Sequence, residues 1–200
     1  MGMLWALLAS IPAPATAAQS SFAPVKVQSC LLADSLLGPI AEDRNAVVRA
    51  EYLPSMDSTR LVAGPERSYM YQEQSRPMID VMTSYGGHKV TSYPHADISF
   101  LMIRHEASTL ASSAGPAPVV LIIDESRFEL DSVPIKPSPS PVGQSVFITL
   151  QLAPNLFFAL ANANEATFRI GKVRAAFSPR ELQNIRGLYR VALCGLPDAR

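Results

Sequence analysis

The chain has 200 residues, of which 48% are hydrophobic and 17% charged. Seventeen basic residues balance seventeen acidic ones, so no whole-chain field draws it to nucleic acid or to an anionic membrane. Seventeen prolines exclude a coiled coil or an all-helical bundle, and the apolar share suits one domain with a sizeable core rather than a disordered tail.

No charged residue precedes Lys26. Met1 to Ile11 is apolar, and small residues follow from Pro12 to Ala18. With Ala15-Thr16-Ala17 in the small-x-small pattern, residues 1–18 read as a secretory signal peptide, although no Lys or Arg opens it. The run is shorter than the roughly 20 residues a bilayer span needs, so no transmembrane segment is expected in the mature chain. The expectation is a periplasmic or secreted protein with a single β-rich domain over 19–200. A cytoplasmic protein whose apolar start is core remains the alternative.

Cys30 and Cys194 stand near opposite ends. In an exported protein they suit one disulfide closing a loop of about 165 residues; two buried free thiols are the other reading. Neither has the spacing of a metal ligand pair.

A short helix fits Leu31 to Leu37. Met78–Tyr85 and His88–Tyr93 flank Gly86-Gly87, which predicts a tight hairpin with Tyr85 opposite His88 and Ile79, Val81, Tyr85 and Val90 on one face. Asp97–Arg104 and Val119–Asp124 are apolar at nearly every position and read as central strands covered on both sides. The second reverses through Glu125-Ser126 into Phe128–Leu130. Pro134 to Gly143, with four prolines, reads as a stiff connector without a packing pattern. In Ser145–Leu152, Val146, Ile148, Leu150 and Leu152 alternate with Phe147, Thr149 and Gln151. Pro154 opens a short helix with Leu156, Phe157 and Leu160 on its apolar stripe.

Ala166–Ile170 and Val173–Phe177 then pair across Gly171-Lys172. If Ile170 opposes Val173, one face holds Ala166, Phe168, Ile170, Val173, Ala175 and Phe177, all apolar, and a one-residue slip mixes the faces. Ser178-Pro179-Arg180-Glu181 is a capping box, Leu182, Ile185, Leu188, Tyr189, Ala192 and Leu193 form a helical stripe, and Gly195 is placed to end it. The fold class is α+β: an antiparallel-rich sheet or sandwich of about seven or eight strands with two short helices in the C-terminal third.

The common catalytic signatures are absent. There is no phosphate-binding loop, G-x-G-x-x-G, nucleophile elbow or S-x-x-K, and His105-Glu106 lacks the second histidine of a zinc-protease helix because Thr109 stands there. His95, Asp97 and His105 share strand parity, but ten strand residues separate the two histidines by about 33 Å. His88, His95 and Asp97 are therefore the only weak metal or acid–base candidates, and they define the alternative of a hydrolase or metal-dependent enzyme. No cofactor is expected.

The sharper feature is cationic. The hairpin register that keeps the inner face apolar sets Arg169 opposite Arg174 outside, with Lys172 in the turn. Seven basic residues follow Ala166 (Arg169, Lys172, Arg174, Arg180, Arg186, Arg190 and Arg200) against Glu181 and Asp198. Acids from other strands can neutralise such a face. Otherwise Arg169, Lys172 and Arg174 bind an anionic partner or an acidic protein surface. No aromatic interleaves them as a nucleic-acid platform requires. The leading expectation is an exported, non-catalytic protein that binds a partner or serves a structural role in the envelope.

Overall fold

The computed structural model describes residues 22–40, 45–64, 77–87, 94–112, 115–140 and 143–196. The expected leader, the strand His88–Tyr93 and Arg200 lie outside these residues. The described chain is α+β and built on two antiparallel sheets.

The larger sheet joins β1 (Ala23–Val25), β2 (Val48–Leu53), β3 (Ser58–Ala63), β4 (Met78–Gly86), β5 (Ala96–Ile103), β9 (Gly143–Leu152) and β8 (Pro137–Ser140) in that spatial order. The smaller has the order β11 (Val173–Ala176), β10 (Ala166–Ile170), β6 (Ala117–Ile123) and β7 (Ser126–Val133). The helices are α1 (Leu31–Leu37), α2 (His105–Ala111), α3 (Pro154–Ala161) and α4 (Pro179–Cys194).

Register places the core. Across the large sheet, Val48, Ala63, Val81, Ile98 and Leu150 lie in one row, and every member is buried. Such a row exists because each strand contributes alternate apolar residues to the same face. α4 packs over β2, β3 and β4. The small sheet meets the large one at Phe100 and Phe168, whose ring centroids lie 4.3 Å apart, and Phe177 stacks edge-on to Phe168.

Several elements follow their sequence signals. β9 alternates as expected, with Val146, Ile148, Leu150 and Leu152 buried. In α4 the capping box forms, with Ser178 and Glu181 each satisfying the other's backbone N–H, and Gly195 caps the far end. β6 and β7 turn through Asp124 and Glu125, both at positive φ as a I′ hairpin requires. The Asp124 carboxylate accepts the backbone N–H groups of Asn164 and Glu165, tying this turn to the start of β10.

Four expectations are corrected. The described residues hold eleven strands and four α-helices, more than the count foreseen. β5 is central but buries one face only: Ala96, Ile98, Phe100 and Met102 are buried while Asp97, Ser99 and Leu101 are half-exposed. Pro137–Ser140 is an edge strand paired with Gly143–Val146 rather than a free connector. Its prolines are tolerated because an edge strand has one side without ladder bonds. Finally, His105 opens α2 instead of extending the strand, because Arg104 turns the chain at φ 55°.

Cys30 and Cys194 are bonded, with their Cα atoms 5.7 Å apart. The bond joins the residue before α1 to the last residue of α4. One face of α4 continues the clamp at helical spacing. Arg190, wholly buried, donates to the Asp34 carboxylate at 2.5 Å and to the Gly38 carbonyl at 2.6 Å, and Arg186 donates to the Leu37 carbonyl. These two guanidiniums sit at the C-terminal end of α1, where unpaired carbonyls and the helix dipole favour cations.

Candidate anion-binding face

The β10–β11 hairpin closes on Gly171-Lys172 with Ile170 opposite Val173, the register read from the sequence. Gly171 has φ +55°, the left-handed conformation that glycine adopts without a Cβ penalty. Ala166, Phe168, Ile170, Val173 and Phe177 are buried against the core, and Ala175 packs beside them. The outward positions are therefore fixed by the burial of the inward ones.

Arg169 and Arg174 are directly paired and both exposed, and Lys172 is exposed in the turn. On its other side Arg169 faces Val120 of β6, and Val120 faces Glu129 of β7. The outer face of the small sheet thus carries the row Arg174, Arg169, Val120, Glu129. Two strand spacings, roughly 10 Å, separate the backbones of Arg169 and Glu129. Glu129 instead pairs with Arg127 on its own strand, N···O 2.7 Å. Among the described residues, no acid forms an ion pair or side-chain hydrogen bond with Arg169, Lys172 or Arg174.

The broader basic cluster is corrected in part. Arg186 and Arg190 belong to the clamp on α1, not to an exposed face. The sequence hid this because Asp34 lies 156 residues from Arg190. Arg180 is exposed at the start of α4, and Arg200 lies outside the described residues.

The histidines are not gathered. His95 is exposed just before β5, where its backbone carbonyl accepts the Thr83 hydroxyl at 2.5 Å. Asp97 lies on the outer face of the large sheet between Met82 and Gln151. His105 stands beyond the opposite end of β5, at the start of α2, and His88 lies outside the described residues. Among the described residues no three His, Cys, Asp or Glu side chains come together as a metal site would need.

Two hollows flank α4. One, of about 620 Å³, is lined by Asn45, Asn164, Arg180, Gln183 and Arg186 near the helix start. The other, of about 470 Å³, is apolar and lined by Leu36, Pro154, Phe158 and Tyr189. Sequence reading nominated neither, since each joins residues from distant segments. No protein-family model, curated protein or solved structure matches this chain.

Proposed function

We propose that the protein is an exported, non-catalytic β-rich binding module whose small sheet presents Arg169, Lys172 and Arg174 to the acidic surface of another protein. The observation that carries this reading is the exposed Arg169–Arg174 pair. Like charges facing each other across a ladder are destabilising, and no acid of the described residues relieves them. Planar guanidiniums suit carboxylates because each can donate two parallel hydrogen bonds. The same face also bears Glu129 and Arg127, so it is mixed in sign. A mixed face favours a patterned protein surface over a uniform polyanion.

Export is supported by the disulfide, since such bonds persist in oxidising compartments. No helix among the described residues is long and apolar enough to cross a membrane.

Chromatography on immobilised poly-L-glutamate tests the reading. Because the chain carries no net charge, bulk ion exchange contributes little. The wild-type protein is expected to bind at low salt and elute as salt rises, whereas Arg169→Glu/Arg174→Glu flows through. The charge-matched control Arg104→Glu/Arg180→Glu retains binding. Flow-through of the wild type, or equal losses in both variants, refutes the assignment.

A further inference from the structure

The edges of the two sheets are guarded unequally. β1 has three residues, β8 carries Pro137 and Pro139, and β11 has four residues. β7 has eight, contains no proline or lysine, and among the described residues pairs only with β6. A long, proline-free edge is a template for another strand, because its outward N–H and C=O groups are unpaired, and the charges Arg127, Glu129 and Asp131 along it restrict which strand fits.

The identity of that strand can be read from β7 itself. The Ile123–Ser126 pair closes a two-residue hairpin, so Ser126, Phe128 and Leu130 turn their backbone groups toward β6, leaving those of Arg127 and Glu129 pointing outward. Beyond Leu130 the register shifts opposite Pro118, between Ala117 and Val119. The regular edge is therefore Ser126–Leu130, centred on Phe128. Arg127 and Glu129 stand symmetrically about that centre, are both exposed, and carry opposite charges.

We propose that β7 pairs antiparallel with β7 of a second copy of this chain, about a two-fold axis through Phe128. Ser126 then faces Leu130 of the other copy, and each Arg127 faces a Glu129. The two outward-facing backbone pairs form four ladder hydrogen bonds, and the two small sheets become one continuous sheet of eight strands. Each Arg127–Glu129 ion pair within a copy is exchanged for one between copies. A register centred one residue later sets Glu129 against Glu129 at its centre; its compensating Arg127–Asp131 pairs would need Asp131, which lies in the shifted stretch opposite Pro118, so that register is disfavoured. Five residues of strand bury less than the roughly 1,600 Å² of a standard stable interface, so the dimer belongs to the weak class. This inference does not rest on the cationic face, which lies at the other edge of the same sheet.

Sedimentation velocity from about 5 to about 500 µM reads the expected weak association. The wild type is expected to shift toward dimer across this range. Arg127→Glu and Glu129→Arg each put like charges at both cross-strand positions and raise the midpoint by about tenfold or more. An equimolar mixture of the two variants restores oppositely charged pairs and recovers the dimer. Because both side chains are exposed, the variants should keep the wild-type far-ultraviolet dichroism. A wild type that remains monomeric throughout, single variants that dimerise like wild type, or a mixture that fails to recover overturns the proposal.

Discussion

The Cys30–Cys194 bond closes nearly the whole described chain, with a sequence separation of 164 residues. Loop-closure entropy for that length is worth about 5 kcal/mol against the unfolded chain. A domain of this size has a total stability of about 5–15 kcal/mol, so the bond accounts for a third or more of it. Two features limit the damage when the bond is removed. Ala33 and Leu37 of α1 stay buried, and Arg186 and Arg190 still grip the end of α1. But α1 has only seven residues, too few to persist as an isolated helix. Cys30→Ser/Cys194→Ser is therefore expected to remain folded, to lose about 3–5 kcal/mol in urea unfolding, and to melt about 6–20 °C lower. Its m-value should rise, because the unlinked denatured chain exposes more surface. Hydrogen exchange should quicken first over Leu31–Leu37 and the last turn of α4. A loss under about 1 kcal/mol with unchanged m would refute the claim that the bond constrains the unfolded chain.

Three further outcomes follow from packing and titration. Phe168→Ala, which removes a buried ring between Phe100 and Phe177, should cost about 3–5 kcal/mol in chemical denaturation. Gly187→Ala tests packing against propensity. Alanine is favoured in a helix by about 1 kcal/mol, yet its Cβ would collide with the Ala46 side chain and touch Val27 and Val48. Net destabilisation by urea melts is expected, with a clash cost of about 1–3 kcal/mol. The hydrogen bond from Ser29, and secondarily the bond from Arg190, hold the Asp34 carboxyl below its ordinary value of 3.8. A depressed folded pKa stabilises the protein above 3.8 and ceases to do so as pH falls through the lower folded value. Asp34→Asn should therefore be less stable than wild type at pH 7, with the gap closing below pH 3.8.

Where apolar periodicity and a local turn signal coincide, the structure was legible in advance. The 166–177 hairpin was readable because only one register keeps six apolar side chains on one face, and that same constraint placed Arg169 against Arg174. The start of α4 was readable because the capping box is local. Elsewhere the determining partner was remote. Pro137–Ser140 shows no strand pattern of its own, and only the neighbouring β9 makes it an edge. Asp97–Arg104 reads as apolar at nearly every position, but whether a second layer covers a strand is set by tertiary packing and not by its composition. Arg186 and Arg190 recur at the spacing of a solvated helical stripe, and their burial comes from a seven-residue helix near the other end of the chain.

Opposite signs for stability and binding in one variant put the account to its most direct test. Arg174→Glu replaces a repulsive cross-strand pair with an attractive one, so urea unfolding should show the variant more stable than wild type by about 0.2–1 kcal/mol, while its retention on poly-L-glutamate weakens. A variant less stable than wild type would mean that Arg174 already has a favourable carboxylate partner within the fold, and the outward cationic pair would then be no binding surface at all.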